Sequence, residues 1–428
     1  MSTLVKNEIT RVKDVKAIPF TLYDFGWVIL CIGMAIGSGI VFFPLQVGLK
    51  GVWVFALAVI LGYPAVYYLQ KIFIETMVRS DENDSYLSII TSYVGSKWGL
   101  CLGLFYALTM LKNLVEYAMA ITNDSASYLK TFHITSLTMS DYWWWPLLLI
   151  TVLSLIASKG ERLLFRISGG MIVTKLIIII SIGFVVIPSW NLNNLGTFPS
   201  VTRLVWDTFP TLTFAIFSIL FVQILNPMNI AYKKREKDKN VAKYKILRVH
   251  KIAYIILVVG VLMYVVSITL SISEANAVKA YHENISALAL TAKVIPGAAI
   301  KYMSLILNVF SIMTAFLGVY LAVHESFSGL IKLFADKLFN YARVSERAIA
   351  ISAFLLVVLM LWLIVLTNFP ILKVVVFGGM TYGIISCIVP GYIILTNNKF
   401  SDVRGPSVYY VILIGLMMSL GPIVMMFS

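Results

Sequence analysis

The stretch "GMAIGSGIVFFP", residues 33–44, lies near the start of a long apolar run and sets Gly33, Gly37, Ser38 and Gly39 within seven positions. Glycine weakens a helix because it loses more backbone freedom on ordering and covers nothing. A membrane helix that unwinds exposes N–H and C=O groups which lipid does not satisfy. Such a break is tolerated only where it lines a cavity or contacts a ligand. The reading of these twelve residues therefore turns on whether the chain crosses a membrane.

Composition answers that. The chain has 428 residues, 60% hydrophobic and 13% charged, with a mean hydropathy of +0.90. That is the range of polytopic membrane proteins. A spanning helix needs about 20 mostly apolar residues. Eleven such runs start near residues 24, 51, 97, 143, 162, 208, 251, 299, 347, 371 and 408. The first lacks a short apolar core followed by a small-residue cleavage site, so it reads as a retained span. Cys31, Cys101 and Cys387 fall inside separate runs and form no disulfide framework or metal pattern.

The formal charge of +14 does not point to nucleic acid, because the basic residues are segregated. With the N-terminus inside, twenty-five of the 34 Lys and Arg residues fall on the cytoplasmic side and seven on the other. Nine lie in "KKREKDKNVAKYKILRVHK", residues 233–251; Lys112 and Lys175 lie within spans. This is the positive-inside bias. It predicts an N-terminus in the cytoplasm and a C-terminus outside.

The chain divides into a cytoplasmic tail (1–23), five spans (24–188), an external loop (189–207), five more spans (208–396) and a last span (408–428). An odd number of spans per unit inverts the second unit relative to the first. Pro64 predicts a kink in the second span. Residues 79–99 and 325–347 read as amphipathic pieces on the cytoplasmic surface. Nothing is long enough to be a soluble domain.

The break has a counterpart five spans later. "TFPTLTFAIFSILFVQILNPMNIAY", 208–232, opens on Pro210, carries Phe217-Ser218 near its centre and ends with Asn226-Pro227. Interrupted helices at matching positions of two inverted halves mark a transporter site. The N–H groups of Gly37, Ser38, Gly39 and Ile40 open the outer half-helix and suit a carboxylate. The carbonyls of Met34, Ala35 and Ile36 close the inner half and suit an ammonium group. Together they fit a zwitterionic amino acid. Taken alone, Gly33-xxx-Gly37 also reads as a small-xxx-small packing motif; Gly39, Pro44 and the matched second break favour the site. In the sixth span, Phe214, Phe217 and Ser218 are candidates to cover the substrate, with core packing as the ordinary alternative for each aromatic.

Ionisable groups inside spans are costly. Lys112 and Glu116 stand four apart on one helical face and can pair; as placed by the sequence they lie past the middle of the third span, toward the outside. Asn113 and Tyr117, on the neighbouring stripe, are candidate pocket wall. Lys175 has no acidic residue within a turn. An isolated lysine at mid-depth needs a cavity, polar neighbours or helix-end carbonyls, and it can take up and release a proton. It is the candidate for proton coupling.

With these residues in place, "AIGSGIVFFPLQVG" (35–48), "TAFLGVYLAVHES" (314–326) and "VPGYIIL" (389–395) resemble the bacterial hydroxy and aromatic amino acid permeases, which include serine/threonine and tryptophan/tyrosine permeases. The resemblance runs over nearly the whole chain. It implies an all-α integral membrane protein with 11 transmembrane helices. It also implies a LeuT-type five-plus-five inverted repeat of the amino acid–polyamine–organocation superfamily, with discontinuous helices 1 and 6 and one extra C-terminal helix. It implies ion-driven uptake across a bacterial inner membrane, with Gly37 to Gly39 at the amino acid backbone and Phe217-Ser218 at the helix 6 position. In sodium-coupled relatives of the fold the eighth span supplies hydroxyls to the ion. The corresponding positions here are Thr314 and Ala315, with Ser311 a turn earlier. Ala315 lacks the usual hydroxyl, and Lys175 is placed to fill that position as an amine does in a proton-coupled relative. Ile219 and Leu220 stand where the serine and threonine members have polar residues, so substrate identity does not carry over directly.

The expectation is a monomeric proton symporter for a neutral amino acid, serine- or threonine-like first and aromatic next. No cofactor, metal or nucleic acid is expected, and lipid is the surrounding partner. Sodium coupling and a non-transporting amino acid sensor are the alternatives. No pore loop suggests a channel, and the four histidines form no catalytic motif.

Overall fold

A computed structural model describes residues 18–80, 86–159, 161–236, 238–339 and 345–427. Most of the expected N-terminal tail, residues 1–17, lies outside them. The described residues form helices joined by short turns: α1 (Leu22–Ala35), α2 (Ser38–Lys50), α3 (Val52–Val78), α4 (Tyr86–Val94), α5 (Ser96–Thr131) and α6 (Trp144–Ala157). Then come α7 (Glu161–Val185), α8 (Val201–Phe217), α9 (Val222–Arg235), α10 (Lys239–Ser271), α11 (Glu274–His282) and α12 (Ala287–Val294). The chain ends with α13 (Ala298–Phe339), α14 (Glu346–Leu366), α15 (Ile371–Tyr382), α16 (Val389–Thr396) and α17 (Pro406–Phe427).

Among the described residues, eight helices are long and apolar enough to cross a membrane; the bent pair α1 and α2 brings the number to nine. Trp144–Ala157 and Gly169–Val185 are apolar but shorter. The protein is thus an all-helical, multi-span membrane protein.

Capping explains most differences from the sequence-based boundaries. Ser200 accepts from the Arg203 amide, so the sixth span starts at Val201 rather than 208. Asp238 accepts from the Asn240 amide, so α10 starts well before residue 251. The predicted surface piece at 325–347 is in its first half a continuation of α13, a single helix of 42 residues; residues 340–344 are not described. Pro64 lies inside the unbroken α3. Proline leaves a carbonyl free one turn back, and nearby carbonyls of Leu61 and Tyr63 accept from the Tyr410 and Tyr254 hydroxyls.

Packing centres on the two interrupted spans. α8 lies along α2 and α3, α1 lies against α7 and α10, and α13 packs on α5 and α7. Between α15 and α16 the helix widens into a π-type turn over Gly383–Ile388. There a Cβ on Gly383 would lie 2.5 Å from the Gly415 carbonyl, so α17 seats directly on this backbone.

Candidate functional site

α1 ends at Ala35 and α2 begins at Ser38, with a 45° bend between them. The first bond within α2 runs from the Val41 amide to the Gly37 carbonyl at 3.3 Å. The Ser38, Gly39 and Ile40 amides come before it and make up the donor end of the half-helix. Gly37, counted with them in the sequence reading, gives its N–H to Ala35 at 2.9 Å. The side chain of Ser38 lies outside the described residues.

The second break falls between α8 and α9, at Ser218 to Phe221. The two breaks touch. A Cβ on Gly39 would collide with the Phe217 carbonyl and lie 2.7 Å from the Ser218 nitrogen. Only glycine permits that approach. The Ser218 hydroxyl donates to Ala215 at 2.7 Å and lies 3.3 Å from the Tyr63 hydroxyl. Phe221 donates its N–H to Gln70 on α3 at 3.0 Å, which satisfies one donor at the start of α9.

Lys175, on α7, is fully buried. Its Nζ donates to the Gly33 carbonyl at 3.1 Å, the Ile36 carbonyl at 3.0 Å and Thr314 Oγ1 at 3.0 Å. Three donors meet three acceptors. The carbonyls ending α1 carry the negative end of the helix dipole, which favours a cation there. Thr314 passes its own proton to Phe310 at 2.8 Å. Ser311 is buried with its hydroxyl unpartnered, and it does not join this cluster.

Asn113 and Tyr117 reach the breaks from α5. A Cβ on Gly37 would lie 3.7 Å from the Tyr117 hydroxyl. Asn113 donates to the Tyr382 hydroxyl at 3.3 Å, and Gln223 of α9 donates to the same oxygen at 2.7 Å. The Tyr382 ring meets Phe217 edge-on, with centroids 4.9 Å apart. Below it opens a cavity of about 220 Å³ lined by Tyr106, Thr109, Val222, Gln223, Asn226 and Tyr382. Phe214 is fully buried in the core. The structure thus gathers residues from α1, α2, α5, α7, α8, α9, α13 and α15 around two helix breaks. Sequence reasoning missed Tyr382; the glycine-rich "GGMTYG" at 378–383, a helix that others approach closely, was the available signal.

Each broken span is also tied to the other at both ends. At one end, Lys50 of α2 pairs with Asp207 of α8 at 2.6 Å, and Gln46 donates to Thr211 at 3.1 Å. At the other, Asp24 of α1 accepts from Tyr232 of α9 and pairs with Arg248 of α10 at 3.2 Å.

The chain matches the sequence profile described as the tryptophan/tyrosine permease family over residues 23–427. It is 42% identical over 410 residues to a probable serine transporter of Escherichia coli (strain K12), a span of 95% of this chain and 93% of that protein. It is 25% identical to the serine transporter SdaC of the same strain, over 72% of each chain. The inner membrane transport protein YqeG of that strain is 24% identical, over 76% of this chain and 80% of its own. With a helical, multi-span fold and a profile match of nearly full length, the chain belongs to the tryptophan/tyrosine permease family and is a transporter rather than an enzyme.

Proposed function

We propose that the chain imports a neutral amino acid by proton symport, with a small hydroxy amino acid such as serine favoured and aromatic amino acids next. The relatives named as serine transporters support the substrate class. The α1–α2 break receives the zwitterion, its carboxylate at the Ser38, Gly39 and Ile40 amides, with Phe217 of the second break covering the side chain. The observation that carries the coupling is the Lys175 ammonium on the Gly33 and Ile36 carbonyls and Thr314. Protonated, it holds the inner half of the broken span; on losing its proton it gives up the charge that binds it there. A free cation would need the same carbonyls, which disfavours sodium.

On this reading the apolar stretches Trp144–Ala157 and Gly169–Val185, the latter within α7, complete eleven. The units 24–188 and 208–396 form inverted repeats, with residues 408–428 appended. The N-terminus lies in the cytoplasm and the C-terminus in the periplasm, and a monomer suffices for transport. The test is counterflow of labelled amino acids into proteoliposomes without sodium, for the wild type and Lys175→Ala. Exchange in both, with proton-driven accumulation only in the wild type, supports the assignment. Accumulation that needs sodium overturns proton coupling, and binding without flux makes the protein a sensor.

A further inference from the structure

Near the middle of α5, Lys112 Nζ lies 2.7 Å from Glu116 Oε2, and Glu116 is only 1% exposed. Lys112 Nζ also sits over the Phe217 ring, 5.8 Å from its centroid. A Cβ on Gly378 of α15 would run into Lys112 Nζ, and one on Gly379 into Thr213 Oγ1. The pair therefore stands at the depth of the second break and not displaced toward the outside. Lys112 lies against Gly378, and Thr213 against the adjacent Gly379.

A buried ion pair that served structure alone would satisfy both carboxylate oxygens, since each unpaired buried polar atom is costly. Here Glu116 Oε1 has no hydrogen-bond partner, and neither has the buried Thr213 hydroxyl. Tyr382 packs edge-on against the same Phe217 ring. An acceptor oxygen, held in place by its lysine, lies buried and unpartnered where helices α5, α8 and α15 meet at Phe217.

We propose that Glu116 is a specificity-determining residue of the transport site: its Oε1 accepts the side-chain hydroxyl of the transported amino acid, and Lys112 positions the carboxylate. The proposal rests on the transport-site reading and gives it a side-chain class, a small hydroxyl donor. A side chain without a donor leaves Oε1 buried and unpaired. Sites built to hydrogen-bond a hydroxyl discriminate strongly against analogues that lack it.

The experiment is competition against radiolabelled serine by alanine and by O-methylserine, on the purified full chain. Alanine lacks the oxygen; O-methylserine keeps the oxygen without the proton. In the wild type both are expected to compete at least about tenfold more weakly than serine. Glu116→Gln leaves an oxygen for Lys112 and turns an NH₂ donor toward the open position. The serine to O-methylserine ratio should then fall to within about threefold, the loss of one hydrogen-bond distinction. The double variant Lys112→Met with Glu116→Leu removes both charges together and should bring the serine to alanine ratio near one. Equal competition by serine and O-methylserine in the wild type overturns the proposal, as do unchanged ratios in both variants. The wild-type series decides even if the variants do not fold. Wild type that binds no serine refutes the transport-site reading itself, whereas serine transport without discrimination refutes only the role of Glu116.

Discussion

At the smallest scale the first break rests on Gly39 and Lys175. Gly39 is present because the backbone of the second break leaves no room for a methyl group. Gly39→Ala should destabilise the protein by about 2 kcal/mol, as overpacking against fixed backbone does, and should abolish substrate binding, as read by thermal melting and by labelled-serine binding. Lys175 could be identified from sequence as isolated, but nothing in the sequence placed it beside residues 33 and 36, some 140 positions away. Its partners are backbone carbonyls, whose direction depends on where a helix stops. Lys175→Arg keeps a permanent charge at that position, so proton-driven accumulation should be lost while protein yield and monodispersity persist. Glu116 shows the opposite limit. Its i,i+4 pairing was legible, but the empty oxygen depends on what α8 and α15 bring, and no local pattern records that.

At the scale of elements, helix starts were misread where a polar residue caps a helix before the apolar run begins, as at Ser200 and Asp238. The breaks themselves were legible, in α1 from glycine and in the sixth span from its Phe-Ser pair. One anchor of the segment α11–α12 is a carboxylate: Asp124 of α5 accepts from the Ser286 amide at 2.8 Å and from Asn308 of α13 at 2.7 Å. Ser286 also caps α12. Asp124→Ala should leave the Ser286 amide unsatisfied and cost roughly 1–3 kcal/mol. Faster hydrogen exchange confined to 274–294 would be its signature; uniform loosening of the whole bundle would contradict this assignment. At the other end of the bundle, Arg79 holds Asp402 by two bonds of 2.6 and 2.7 Å and lowers its pKa to about 2. The folded value lies below the unfolded one of about 3.9. The contribution is therefore complete above about pH 4 and lost as pH falls through 2. Asp402 is largely exposed, so Asp402→Asn should lower stability by less than about 1 kcal/mol. The difference from wild type should narrow steadily on acidification below pH 4 in melting experiments.

At the scale of the whole molecule, composition and charge segregation were enough to identify a multi-span membrane protein and to predict its orientation. They place residue 195 outside and residue 398 inside. A membrane-impermeant thiol reagent on intact cells should label Leu195→Cys and spare Asn398→Cys; the reverse pattern would invert the topology. What sequence could not supply was the convergence of eight helices on one place, because each contributes one or two residues from a different part of the chain.

On the proposed proton coupling, the covalently tethered amine at the α1 break sets a thermodynamic ceiling. A carrier that uses one such group moves one proton per zwitterion, and the amine itself never leaves the protein. Each cycle then carries one net positive charge, so transport is electrogenic. At 100 mV that charge supplies about 2.3 kcal/mol, enough to concentrate the substrate roughly 50-fold before any pH gradient is added. Steeper accumulation at that voltage and equal pH would require a second carried charge.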